Sequence, residues 1–294
     1  LCDWSSDVCS SDLENVHLNG INTYLFWIYW FLIVILLFID VKLINKFIFS
    51  SNLAASPITN MSLFSDSCKY LFTYNCPEFA WFISISNFKH QIAYFEKNYK
   101  VIIADSRSQG KTIDTSKTLT YEMMADDLNA LLDSLHIRSA NVLGWSDGGI
   151  NGLLLAIRHP DKVKKMAITG ANLIPDSSVL HPEGVTMVKE GIEFLKKAKQ
   201  DESTRNTLKL FKMMDTEPHI TFNDLQKIKC PVLVIGGDND IIKPSHTVQI
   251  FEGIPQANLW IIPSAGHATL QRHKDEFNLK VKNFFVQSFQ RAKW

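Results

Sequence analysis

Three short stretches of this chain carry residue types suited to nucleophilic catalysis. Ser146 sits in Gly144-Trp145-Ser146-Asp147-Gly148, where the strand-like run "ANVLGWS" meets the helix-like run "GGINGLLLAIRHP". Asp238 and Asp240 close "PVLVIGGDND", and His267 follows Ala265-Gly266 at the end of "ANLWIIPSAGH". A serine hydroxyl is a weak nucleophile until a base removes its proton, and a histidine does so near neutral pH when a carboxylate fixes its tautomer. Glycines two before and two after Ser146 suit a sharp strand-to-helix elbow, which leaves little room for side chains and lifts the serine oxygen above a sheet. The bland alternative is a tight turn in which Ser146 only caps the next helix.

Among the acids, Asp240 competes with Asp238 and, more remotely, with Asp147. A strand needs a residue or two to clear its sheet before a carboxylate can turn back toward the histidine, which favours Asp240 and leaves Asp238 as a turn or lid contact. His273, on the following segment, is a weaker rival to His267 and reads as a surface residue.

The elements that must hold these residues alternate. "FKHQIAYFEKN" reads as a short helix and "YKVIIAD" as a buried strand. "TYEMMADDLNALLDSLHI" places Met124, Leu128, Leu131, Leu132 and Leu135 on one face of a helix with Thr120 as its cap. The strands "ANVLGWS", "VKKMAITGA", "PVLVIGGDND" and "ANLWIIPSAGH" follow, and "DEFNLKVKNFFVQSFQ" is the closing helix. Strands separated by helices predict a mostly parallel sheet covered on both faces, with reactive residues at the carboxyl ends of its strands. Residues 172–223 form a helical insertion, read as a small cap or as a surface hairpin. Its Met187, Phe194, Leu208, Leu210, Phe211 and Met213 suit an apolar entrance or packing of the cap on the core.

From about Phe88 to its end the chain resembles the alpha/beta-hydrolase fold family, specifically small serine hydrolases with a helical cap. "GWSDG" resembles the nucleophile elbow, "GGDNDIIKP" the acid turn with the acid at Asp240, and Gly266-His267 the Gly-His pair before the final helix. "DSRSQGKT", Asp105 to Thr112, is similar to the family's Asp-x-Arg-Gly-x-Gly-x-Ser turn, with Ser108 replacing the first glycine and Thr112 the serine. Asp105 and Arg107 then organise loops rather than react. The resemblance implies Ser146, Asp240 and His267 as catalytic residues acting on a small-molecule acyl substrate, with neither metal nor organic cofactor. A serine at the elbow, where epoxide hydrolases and dehalogenases of the fold carry aspartate, favours acyl chemistry.

Family members stabilise the reaction's oxyanion with two backbone donors. One would be the N–H of Asp147. The other belongs to a loop usually marked by His-Gly, yet "PEFAWFISISNFKHQ" has neither, and no glycine lies between Gly20 and Gly110. Either the upstream region is a frameshifted or misassembled coding sequence, or a divergent loop around Ile83 to Asn87 presents the donor. The second reading is a non-catalytic hydrolase-like binding or scaffold domain.

The front of the chain does not match its back. Residues 1–14, "LCDWSSDVCSSDLE", resemble translated sequencing-adapter bases and carry no functional weight. Residues 15–49 contain an uncharged apolar run, Asn15 to Ile39, and read as a membrane span over 17–39 or as a non-native segment. With Lys42 and Lys46 following, a span would leave a membrane-anchored hydrolase domain in the cytoplasm. Residues 50–87 match poorly and show no sustained period, so the first strands of the usual sheet are not recognisable. The domain proper is 88–294. With 30 basic against 30 acidic residues among 294, no basic field calls for a nucleic-acid partner, and the five cysteines show neither zinc-like pairing nor a disulfide framework.

Overall fold

The strand alternation organises the structure around one sheet. The computed structural model describes residues 34–37, 70–75, 88–109, 112 and 114–290, the first two stretches by their backbone alone. Seven strands, β1 (Val34–Leu37), β2 (Tyr70–Asn75), β3 (Lys100–Asp105), β4 (Ala140–Trp145), β5 (Val163–Thr169), β6 (Val232–Gly237) and β7 (Ala257–Ile262), lie in the order β1-β3-β2-β4-β5-β6-β7. Strands β2 to β7 run parallel, and β1 pairs antiparallel with β2, β3 and β4. The helices are α1 (Lys89–Phe95), α2 (Tyr121–Ser134), α3 (Asp147–Arg158), α4 (Pro182–Lys197), α5 (Glu202–Thr216), α6 (Phe222–Leu225), α7 (Pro244–Gly253), α8 (Thr269–Arg272) and α9 (Lys274–Val286). Together these define the alpha/beta-hydrolase fold.

Burial explains why the central strands read as unbroken apolar runs. Every residue of β4 and β6 is buried, as expected of strands covered on both faces. In α2, Met124, Leu128, Leu131 and Leu132 face the core, and the Thr120 side chain accepts from the Met123 N–H to cap the first turn. Removing such a leucine from water contributes about 1.5–3 kcal/mol, so α2 is held chiefly by this face. Helix α3 is buried from Asp147 to Ala156, which places the residue after Ser146 inside the protein rather than at its surface.

Two departures from the sequence reading lie at the front. Among the described residues no helix is long and apolar enough to cross a membrane. Val34–Leu37, inside the expected span, is instead a strand, with Val34 opposite Trp145 and Leu36 opposite Leu143. The spanning helix over 17–39, the membrane association and the anchored placement drawn from it are therefore corrected. Hydropathy measures apolar content, and a strand in a covered sheet has as much of it as a lipid-facing helix. The difference lies in backbone hydrogen bonding, within the segment for a helix and to neighbours for a strand. The rest of residues 15–49 and all of 1–14 lie outside the described residues. Within 50–87, where the sequence shows no period, Tyr70–Asn75 is a parallel strand between β3 and β4. Six residues without clean alternation offer too little pattern to be read alone.

Between β5 and β6 the chain forms α4, α5 and α6. Met187, Leu210, Phe211 and Met213 are buried in the main core, whereas Phe194 is more than half exposed. A polar knot ties this segment to the loop after β3. Arg107 donates to both oxygens of Asp127 at 2.5 and 2.6 Å and to Asp114 at 3.3 Å. Lys209 of α5 donates to the Asp114 carboxylate at 2.7 Å and to the Ser116 carbonyl at 2.8 Å. Burial pushes the Asp114 carboxyl upward, but hydrogen bonds from Lys209 and Ser116 outweigh it, and its pKa lies below the ordinary value. Arg107 thus serves the scaffold role expected for it.

Asp114 is the buried anion between Arg107 and Lys209; its removal leaves Lys209 without its carboxylate, while Arg107 keeps Asp127. Asp114→Ala is expected to lower unfolding free energy by about 3 kcal/mol. Urea denaturation checks this, and a loss below about 1 kcal/mol would show the knot to be incidental.

Candidate active site

The carboxyl ends of four adjacent strands, β4 to β7, deliver the site. Ser146 follows β4 directly and adopts φ 59°, ψ −124°, a backbone conformation that costs a non-glycine residue about 1–3 kcal/mol. The elbow is held open by its own hydrogen bonds. Ser146 N–H donates to the Thr169 carbonyl at 2.8 Å, and the Ser146 carbonyl accepts from Gly149 N–H at 2.7 Å. Its two arms approach so closely that a Cβ on residue 144 would lie 2.3 Å from the Gly148 carbonyl oxygen. The glycine two before the serine is therefore a steric requirement, as the sequence spacing suggested.

The three residues singled out in the sequence come together. His267 Nε2 lies 2.9 Å from Ser146 Oγ, and His267 Nδ1 lies 2.6 Å from Asp240 Oδ1. Asp240 Oδ1 also accepts from the Ile242 N–H at 3.1 Å, which orients the carboxylate. A carboxylate accepts only, so the proton sits on Nδ1 and Nε2 is left with a lone pair toward the serine hydroxyl. All three side chains are buried, which strengthens each hydrogen bond by excluding water.

The rivals are placed elsewhere. Asp238 is exposed, and its carboxylate accepts from the Ala265 N–H at 3.1 Å. Backbone hydrogen bonds, that from Ser264 foremost, hold its pKa down, so it shapes the turn before His267. His273 caps the start of α9, half-buried, with its N–H on the Thr269 carbonyl.

Asp147, expected to contribute its backbone N–H, also carries a buried carboxyl. Burial pushes that carboxyl up to about 7, opposed by a hydrogen bond from the Tyr121 hydroxyl and by attraction to His267. Tyr121, fully buried, is pushed upward as well, by burial first and then by the charge of Asp147. One oxygen of Asp147 has no hydrogen-bond partner among the described residues. The loop expected to give a second backbone donor, Ile83 to Asn87, lies outside the described residues.

Gly170 escaped the sequence reading. It follows β5 at φ +64°, and a Cβ there would meet the His267 ring at 2.6 Å. Both the left-handed backbone and the contact require glycine, and the only signal was a Gly after a strand, "AITGA". Thr169 and Thr269, whose hydroxyls meet at 2.8 Å beside the site, gave no signal at all.

A sequence model of the alpha/beta hydrolase fold matches residues 80–190. The chain is 27% identical over 205 residues to the human protein named serine hydrolase BPHL, covering 64% of this chain and 70% of that one. It is 28% identical to the crystal structure of MGS-MChE2, an alpha/beta hydrolase enzyme from the metagenome of lagoon sediments at Mar Chica, Morocco, with a TM-score of 0.54 over 69% of this chain and 85% of that one. MGS-M2, an alpha/beta hydrolase from a Medee basin deep-sea metagenome, shares the fold with a TM-score of 0.62 at 21% identity, covering 71% and 87% of the two chains. The chain thus has the alpha/beta-hydrolase fold and is similar, over residues 80–190 and in these relatives, to proteins of that family.

The Asp147 carboxyl makes stability depend on pH. Its folded pKa of about 7 lies above the unfolded value of 3.8, so between these limits the folded chain holds a proton the unfolded chain has lost. The contribution of this group to stability therefore falls as pH rises from about 4 to about 7 and then levels, a loss on the order of 4 kcal/mol. Thermal melts across that range are expected to show a shallower decline for Asp147→Asn than for the parent. Parallel declines would contradict the assignment.

Proposed function

We propose that this chain is a serine hydrolase that cleaves a carboxylic ester or related acyl substrate through an acyl-enzyme. The connected row from Ser146 Oγ through the His267 imidazole to Asp240 carries the reading. Ser146 Oγ attacks the carbonyl carbon while its proton passes to His267 Nε2. Asp240 holds the Nδ1 proton and balances the imidazolium that forms. The carbonyl oxygen becomes an oxyanion, toward which the Asp147 N–H donates. Collapse breaks the bond to the leaving alcohol, which takes the proton back from His267. Water then attacks the acyl group with His267 as base, releasing the acid and restoring the Ser146 hydroxyl.

The likeness to proteins named as serine hydrolases and alpha/beta hydrolase enzymes supports the reaction class. Burial of the row supports it too. A scaffold has no need of a serine, an imidazole and a carboxylate buried in one connected row, and burying polar groups is costly.

A fluorophosphonate probe reports the nucleophile directly. Peptide mapping is expected to find the label on Ser146, absent in Ser146→Ala. Asp240→Asn, which leaves the wrong imidazole tautomer, is expected to slow p-nitrophenyl ester turnover by about 10⁴-fold. A folded parent that neither labels nor turns over ester would instead favour the non-catalytic scaffold.

A further inference from the structure

The residue before the nucleophile makes a contact that the elbow itself does not require. Trp145 is 2% exposed, and its indole Nε1–H donates to the backbone carbonyl of His267 at 2.8 Å. The two rings lie 5.8 Å apart at 43°, and Phe88 packs on the indole from another side at 6.3 Å. We propose that Trp145 is a positioning residue, whose indole N–H fixes the imidazole of His267 against Ser146 by holding the histidine's own backbone. This rests on the hydrolase reading above and adds a residue to it.

The argument follows from the strand order. Ser146 leaves β4 and His267 follows β7, with β5 and β6 between them, so roughly 14 Å of sheet separates the two strands. The acid has no such difficulty, because β6 adjoins β7. The acid turn pins the histidine loop, through Asn239 N–H to the Ala265 carbonyl at 2.9 Å and Ala265 N–H to Asp238 at 3.1 Å. Those bonds fix His267 relative to Asp240. They say nothing about its distance from Ser146.

That second distance is governed from the nucleophile side. Trp145 is one residue from Ser146, and its indole meets the histidine loop where that loop returns past Gly170 toward β4. Thr169 adds a parallel tie, accepting from Ser146 N–H through its carbonyl and meeting Thr269 through its hydroxyl. The histidine is thus secured separately toward its acid and toward its nucleophile. Loss of the indole donor leaves the Asp240 contact and the substrate site in place while loosening the 2.9 Å approach to Ser146. A shift of about 0.5–1 Å at such a contact is enough to slow chemistry by ten- to a hundredfold.

The test compares the parent, Trp145→Phe, and a chain carrying benzothienylalanine at 145, a tryptophan isostere with sulfur in place of N–H. Expected for both replacements is a fall in kcat of tenfold or more with KM within twofold, and an equal fall in the rate of fluorophosphonate labelling. The isostere keeps the ring and so keeps the readout meaningful where phenylalanine disturbs packing. A kcat within twofold of the parent for the isostere overturns the proposal, even where Trp145→Phe is slow, because ring packing and not the N–H would then matter. A Ser146→Ala chain that retained turnover would instead sink the hydrolase reading itself, independently of Trp145.

Discussion

One buried imidazole must satisfy two partners that reach it from different strands. His267 meets Asp240 at one ring nitrogen and Ser146 at the other, and the ring is planar and rigid. Moving it toward either partner draws it from the other. Much of the surrounding architecture answers this constraint. Strand β5, between the strands that carry the serine and the acid, must be followed by a residue with no side chain, because His267 occupies that volume. The turn before the histidine is shaped by Asp238, and the elbow bearing the serine is held in an unfavourable backbone conformation by bonds to β5 and α3.

The cost of that strain and of burying polar groups is offset elsewhere. Helices α2 and α3 press continuous apolar surface onto the sheet, and the segment carrying α4 and α5 adds Met187, Phe211 and Met213 to the same core. The Asp114 knot is different in kind. It uses charge to link one α5 side chain to the loop after β3, and a buried ion pair contributes position more reliably than net stability. The structure thus uses apolar packing where area is available and directional bonds where a loop must sit in one place.

Much of this is legible in the sequence. Ser146, Asp240 and His267 stand in local patterns, each a turn after an apolar strand, and glycine spacing marked the elbow. The Thr120 cap and the face of α2 followed from periodicity. The front of the chain was not legible, because a short apolar strand such as Val34–Leu37 and a membrane helix present the same apolar composition. Nor was Tyr70–Asn75, whose six residues carry no alternation.

Sequence by itself determined which residues could react and in what order they would appear along strands, since nucleophile elbows, caps and strand ends depend on neighbours within a few positions. Tertiary structure alone decided the distances among them, the raised carboxyl of Asp147 against Tyr121, the need for Gly170, and the reach of Trp145 to the His267 carbonyl. Each of these joins residues tens to more than a hundred positions apart, and no local spacing encodes a contact that exists only once the sheet has closed side by side.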